Sequence, residues 1–169
     1  YCQSCGTALP GTPVRPVVSP EEQPLRLTTT LRSDVGHVRA TNEDSCLVEQ
    51  ITGTSGKSVT LLLIADGMGG MQAGEVASQL ACETVQRLLH VRLADGYPQH
   101  EEAWYRMMEE AVRQANHQIH EQARQNRRLH GMGTTLTMVL VVDNCAYLAH
   151  VGDSRLYLCN AQGVTDEGA

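Results

Sequence analysis

The sequence predicts an α+β domain in which antiparallel strands pack against two helices. Three observations carry that class. A continuous apolar run, "SVTLLLIAD", reads as a central strand. Two long stretches of helical period follow it, and the last third is a succession of short strands separated by turn residues.

Taken in order, residues 10–24 hold five of the six prolines and little periodicity, so they read as an extended linker. The domain proper begins near Leu25. "TTTLRSDVGHV" and "SCLVEQIT" are β-rich and separated by the polar "RATNED", which predicts two strands joined by a loop. "SVTLLLIAD" is apolar throughout, as a strand buried on both faces would be. The period then changes. Ala77, Leu80, Ala81, Thr84, Val85 and Leu88 recur at helical spacing, predicting a helix from about Gln72 to Val91. A second helix is predicted from about Glu101 to Leu129, with Glu101 and Glu102 at its start and Arg124, Arg127 and Arg128 at its end, both favourable to the helix dipole. Gly131 offers the stop. "TTLTMVLVV" then turns at Asp143 and Asn144 into "CAYLAHV", turns at Gly152, Asp153 and Ser154 into "RLYLC", and pauses at "NAQG".

The chain has 169 residues, 41% hydrophobic and 19% charged, enough for one domain with its own core. Phe is absent and aromatics make up 4%, which predicts an aliphatic core of Leu, Val, Ile and Met. The net charge is −6 with both signs interspersed, which argues against nucleic acid as the main partner. No run of 18 apolar residues and no signal peptide is present, so the cytoplasm is the default location; Tyr1 in place of Met predicts that the sequence starts inside a longer protein.

Cys46, Cys82, Cys145 and Cys159 sit inside apolar strand or helix patterns and read as small hydrophobes, not as a disulfide framework. Cys2 and Cys5 differ. In "YCQSCGTALPG" two thiols stand one tight turn apart with Gly6 following, the spacing of a zinc knuckle, although a tetrahedral site needs four ligands and no second C-x-x-C occurs. An accidental or redox pair is the competing reading. The stretch resembles the second knuckle of a short bacterial zinc ribbon, which makes residues 1–9 a fragment with half of a Zn²⁺ site.

Three aspartates share one habit. Asp44 stands at a loop-to-strand junction, Asp66 at a strand end in "LLLIADGMGG", and Asp153 in a turn in "AHVGDSRLY". Carboxylates aimed from sheet ends suit hard divalent cations such as Mg²⁺ and Mn²⁺. Each alone is also an ordinary turn or capping residue.

Together, "SDVGHVRATNEDS", "ADGMGG", "GMGTTLT" and "VGDSRLY", in that order, resemble the bacterial form of the PPM family of metal-dependent protein serine/threonine phosphatases (type 2C), from about Leu25 to the end of the chain. The resemblance implies an antiparallel β-sandwich flanked by helices, in α-β-β-α layers, of which residues 25–169 are the N-terminal part. It implies that Asp66 bridges two metal ions, that the carbonyl of Gly67 helps hold one, that Asp44 serves the metal centre with Glu43 beside it as a water-mediated partner, and that Asp153 contributes to a third, weaker site. Arg39 matches the arginine that grips the substrate phosphate; an ion pair with Glu43 is its competing role. Two metals about 3.5–4 Å apart lower the pKa of a bridging water, so that hydroxide attacks phosphorus in line and no protein nucleophile is needed. Met68 departs from the many relatives with His there, which moves protonation of the leaving group to water. The substrates implied are phosphorylated Ser/Thr proteins, including those of bacterial Ser/Thr kinases. Two further aspartates of the family fall beyond "GVTDEGA", so this chain alone is expected to be inactive, and Asp166 and Glu167 match no ligand. The alternative is a pseudophosphatase or adaptor that keeps the fold and binds phosphoproteins without turnover. His117 and His120 read as a solvated helix face, and His150 as a packed or hydrogen-bonded residue.

Overall fold

The computed structural model describes residues 26–37, 41–70 and 73–166; Cys2, Cys5, the proline-rich segment and Arg39 lie outside them. Four strands make the main sheet: β1 (Asp44–Thr52), β2 (Ser58–Met68), β4 (Leu136–Val142) and β5 (Cys145–Val151), in the order β1-β2-β4-β5 and antiparallel throughout. Two helices, α1 (Ala73–Asp95) and α2 (Glu101–Gln125), lie between β2 and β4 in sequence. A short β3 (Gly133–Thr134) pairs with the end of β2, and β6 (Tyr157–Asn160) pairs with β7 (Gly163–Asp166) in a separate two-stranded sheet.

The helices cover one face of the sheet. Val59, Leu61, Leu63 and Ala65 of β2 are buried on that side, against Ala77, Ala81, Val85 and Leu89 of α1, with Met108, Ala111 and Ala115 of α2 in the same core. The small side chains of both helices permit close approach, and the branched residues of the strands fill the space between. β2 was expected to be buried on both faces, but Ile64 is 48% exposed, because nothing among the described residues covers the other side of the sheet. The core is aliphatic, as composition predicts, with one aromatic cluster at its edge. Trp104, 3% exposed, stacks on Tyr147 with centroids 5.7 Å apart and meets Tyr97 edge-on at 5.1 Å.

Several boundaries differ from those expected. Residues 26–35 form no strand and are exposed, since no strand among the described residues pairs with them. The second helix stops at Gln125, not Leu129: Asn126 leaves helical geometry at φ −124°, and its side chain accepts from the Arg128 N–H, starting a 3-10 turn over Arg127–Leu129. β5 does not turn back into β6, whose partner is β7. Cys159 is exposed on that small sheet and is no core residue. Asp166 pairs there with Arg155 at 2.8 Å, a structural role. The turn at Asp143 forms as expected, with Asp143 at φ 51°, a conformation Asp tolerates better than most residues.

Candidate active site

β1 begins at Asp44 because the Asn42 side chain accepts the Asp44 N–H at 3.1 Å, while its own amide donates to Ser33 Oγ at 2.6 Å. The first pair of the β1–β2 ladder is then Asp44 opposite Asp66. Residues directly opposite in an antiparallel pair share a face, with Cβ atoms about 4.5–5.5 Å apart, and like charges there destabilise the sheet. Both aspartates are exposed at the mouth of a cleft of about 380 Å³, which Asp34, His37, Asn42 and Glu43 also line. Two facing carboxylates with open space in front of them fit a hard divalent cation, which turns their repulsion into shared coordination.

Glu43 and Gly67 fix the spacing behind the pair. The Glu43 carbonyl accepts the Gly67 N–H at 3.1 Å and the Ser78 hydroxyl at 2.7 Å, tying the loop before β1 to β2 and α1. Glu43 is nearly buried, with a carboxylate oxygen 2.9 Å from where a Cβ on Gly74 would stand, in the first turn of α1 where negative charge is favoured. Gly67 also has a packing reason to be glycine: a Cβ there would come within 2.1 Å of the Gly74 carbonyl oxygen and 2.6 Å of the Glu43 carbonyl oxygen. Met68 is exposed and lies along Gly133.

Asp153 is placed differently from the other two. It is exposed in the loop after β5 and does not line the cleft. Among the described residues, no three His, Cys, Asp or Glu side chains come together closely enough to hold an ion. The structure thus unites Asp44, Asp66, Glu43 and Gly67, and leaves Asp153 on a neighbouring loop. His150 is hydrogen-bonded, as expected. Its Nε2 lies 3.1 Å from the Gly152 carbonyl, which can only accept, so Nε2 donates there, and Nδ1 shares a hydrogen bond with the Thr137 hydroxyl at 2.9 Å.

Sequence reasoning passed over Asp34 and His37 as site residues, although both stand within "SDVGHVRATNEDS". Their signal was position: two polar residues around a glycine, a few residues before the Asn42 that starts β1. Beside the cleft, Cys82 lines an adjoining hollow with Cys46 and Asp44. Burial, then Cys46 and Glu83, push its thiol up to about 12, so it stays protonated and is a poor nucleophile.

The sequence matches the Protein phosphatase 2C family over residues 36–167. Serine/threonine protein phosphatase PstP of Mycobacterium tuberculosis is 43% identical over 134 residues, which span 79% of this chain and 23% of PstP. Protein phosphatase PhpP of Streptococcus pneumoniae is 34% identical over 133 residues, 79% of this chain and 50% of PhpP. A crystal structure of the M. tuberculosis phosphatase PstP/Ppp aligns with a TM-score of 0.66 at 40% identity, covering 82% of this chain and 52% of that one. The catalytic domain of PstP in complex with two manganese ions aligns at 0.64 and 40% identity, covering 80% and 52%. The chain therefore spans half or less of the curated relatives it matches. A match over most of the chain, on a fold that places Asp44 opposite Asp66, means that this chain belongs to the protein phosphatase 2C family.

Proposed function

We propose that the protein is a metal-dependent protein serine/threonine phosphatase. The observation that carries this reading is the Asp44–Asp66 pair, two exposed carboxylates in register at the mouth of a cleft. The names of the relatives support it, as does the manganese-containing structure of one of them.

In this reading Asp44 and Asp66 hold the divalent ions, Mn²⁺ or Mg²⁺, with the Gly67 carbonyl as a further oxygen donor and Asp153 serving a third, weaker site. When bound, the ions supply Lewis-acid activation of the attacking water and offset the charge of the phosphoryl group. The chain's own residues do the rest. Glu43 holds the backbone of Gly67 and the first turns of α1, so that the two carboxylates keep their separation. Arg39, five residues before Asp44, orients the phosphate through its planar guanidinium. Met68 cannot donate a proton, so the leaving alkoxide takes one from water.

The substrates are phosphorylated Ser/Thr proteins, products of Ser/Thr kinases. Residues 25–169 are the N-terminal part of the phosphatase domain, residues 10–24 a linker, and Cys2 and Cys5 one half of a zinc ribbon that serves as an accessory module. No helix among the described residues is long and apolar enough to cross a membrane. The location proposed, independently of that, is the cytoplasm.

The test is hydrolysis of p-nitrophenyl phosphate with and without Mn²⁺, by this chain and by the full-length protein in parallel. The expected result is Mn²⁺-dependent release by the full-length protein and little by this chain alone. Mn²⁺ binding without hydrolysis in either would contradict the reading.

A further inference from the structure

The Asp153 loop does not reach the cleft, yet a short hydrogen-bonded route joins it to Asp66. The register that pairs Ile64 with Thr137 and Gly67 with Thr134 sets Thr135 opposite Asp66. Thr135 donates its N–H to the Asp66 carbonyl at 2.9 Å, as a ladder residue should. The return contact involves a side chain. The Asp66 N–H donates to Thr135 Oγ1 at 3.0 Å, and the Thr134 hydroxyl lies 2.9 Å from both the Asp66 and the Thr135 carbonyl oxygens. A side-chain hydroxyl thus receives the backbone N–H of Asp66.

That hydroxyl has a second partner. Besides accepting the Asp66 N–H, it shares a hydrogen bond with the hydroxyl of Ser154, 2.7 Å away and adjacent to Asp153, in which either oxygen can donate. Thr135 is 4% exposed, and Gly152, at φ 111°, packs so closely on it that a Cβ would come within 2.6 Å of its methyl carbon. The loop is held from the other side by His150, through Thr137 and the Gly152 carbonyl. Asp153 thus sits between two anchored residues, and one of the anchors is the group that receives the Asp66 N–H.

We propose that Thr135 is a positioning residue that sets the Asp153 loop relative to Asp66, so that both carboxylates serve one metal-loaded phosphate site. The proposal rests on the metal-dependent phosphatase reading above. A merely structural Thr135 would satisfy a part-buried N–H and nothing more. The two roles separate at Ser154, because Ser154→Ala breaks the link to the loop and leaves the Asp66 N–H with its acceptor.

The experiment uses the full-length protein, with Mn²⁺ affinity measured by titration calorimetry beside kcat and KM on p-nitrophenyl phosphate. Groups that orient metal ligands typically contribute about 10–100-fold in affinity or activity. Thr135→Val and Ser154→Ala are each expected to weaken Mn²⁺ binding by about 10-fold, with an unchanged urea midpoint for Ser154→Ala; Thr135→Ser, which keeps the hydroxyl, restores wild-type binding. Should Thr135→Val fail to fold, Ser154→Ala decides alone. Wild-type Mn²⁺ affinity in Ser154→Ala, in a protein that is itself active with Mn²⁺, overturns this proposal. A wild-type protein that neither binds Mn²⁺ nor hydrolyses phosphate overturns the functional reading beneath it.

Discussion

Replacing Gly67 by alanine tests the packing that holds the two aspartates in place. The added Cβ would stand 2.1 Å from the Gly74 carbonyl oxygen, 2.5 Å from its carbon and 2.6 Å from the Glu43 carbonyl oxygen. Ordinary contact lies near 3.5 Å, so α1 would have to retreat by about 1.4 Å, and the Glu43 loop by about 0.9 Å, away from β2. All three atoms belong to backbone, and no rotamer change can relieve them. Overpacking costs about 1–3 kcal/mol, and losing the hydrogen bond from the Gly67 N–H to the Glu43 carbonyl adds about 1 kcal/mol. The expected loss is therefore about 2–4 kcal/mol, a large share of the roughly 5–15 kcal/mol that holds a domain folded. Urea unfolding without added metal measures it, so that binding does not mask the change. Gly96→Ala is the control, since a Cβ there meets no atom within 4 Å, and a shift within about 0.5 kcal/mol is expected. Gly67→Ala within about 1 kcal/mol of the wild type, at equal m value, would refute the argument.

The other expectations concern the core, a thiol and the phosphate. Leu61, fully buried between sheet and helices, should lose about 2–5 kcal/mol on substitution by alanine, read by the same denaturation. A thiol reagent at pH 8 should modify exposed Cys159 in the native protein and reach Cys82 only on unfolding. Because burial raises Cys82 from 9.0 to about 12, the folded state keeps a proton that the unfolded state releases. Stability from this group is complete below pH 9.0 and falls as the pH rises toward 12; Cys82→Ala should flatten part of that fall, the remainder belonging to Tyr97, which burial raises to about 12, and to Tyr105 and Tyr147, which burial also raises. Arg39→Ala in the full-length protein should raise KM for phosphomonoesters more than it lowers Mn²⁺ affinity; an unchanged KM would remove Arg39 from the phosphate site.

Much of the fold is legible because it is local. The apolar run of β2, the helical spacing of α1 and the Asp143 turn each follow from a few adjacent residues, and the structure forms all three. Asp44 and Asp66 were recognisable as strand-end carboxylates, but their being directly opposite depends on the register of β1 against β2, which no single segment states. The stop at Asn126 was hidden because the residues beyond it, Arg127 to Leu129, keep a helical composition while the Asn126 side chain takes the Arg128 N–H. The departure of β6 from the sheet rests on its choice of β7 over β5 as partner, which no single segment states. Thr135 itself was invisible for the same reason: its hydroxyl serves Asp66, 69 residues away, and Ser154, 19 residues away.

The central claim is that Asp44 and Asp66 form the metal-binding half of a phosphatase site. The most direct measurement is the Mn²⁺ dependence of p-nitrophenyl phosphate hydrolysis by the full-length protein and by its Asp66→Asn variant, an isostere that removes the charge. The account predicts that the variant folds with the wild-type urea midpoint or above it, because the repulsion with Asp44 is relieved, and that its Mn²⁺-dependent turnover is lost. Wild-type turnover in Asp66→Asn would contradict the account.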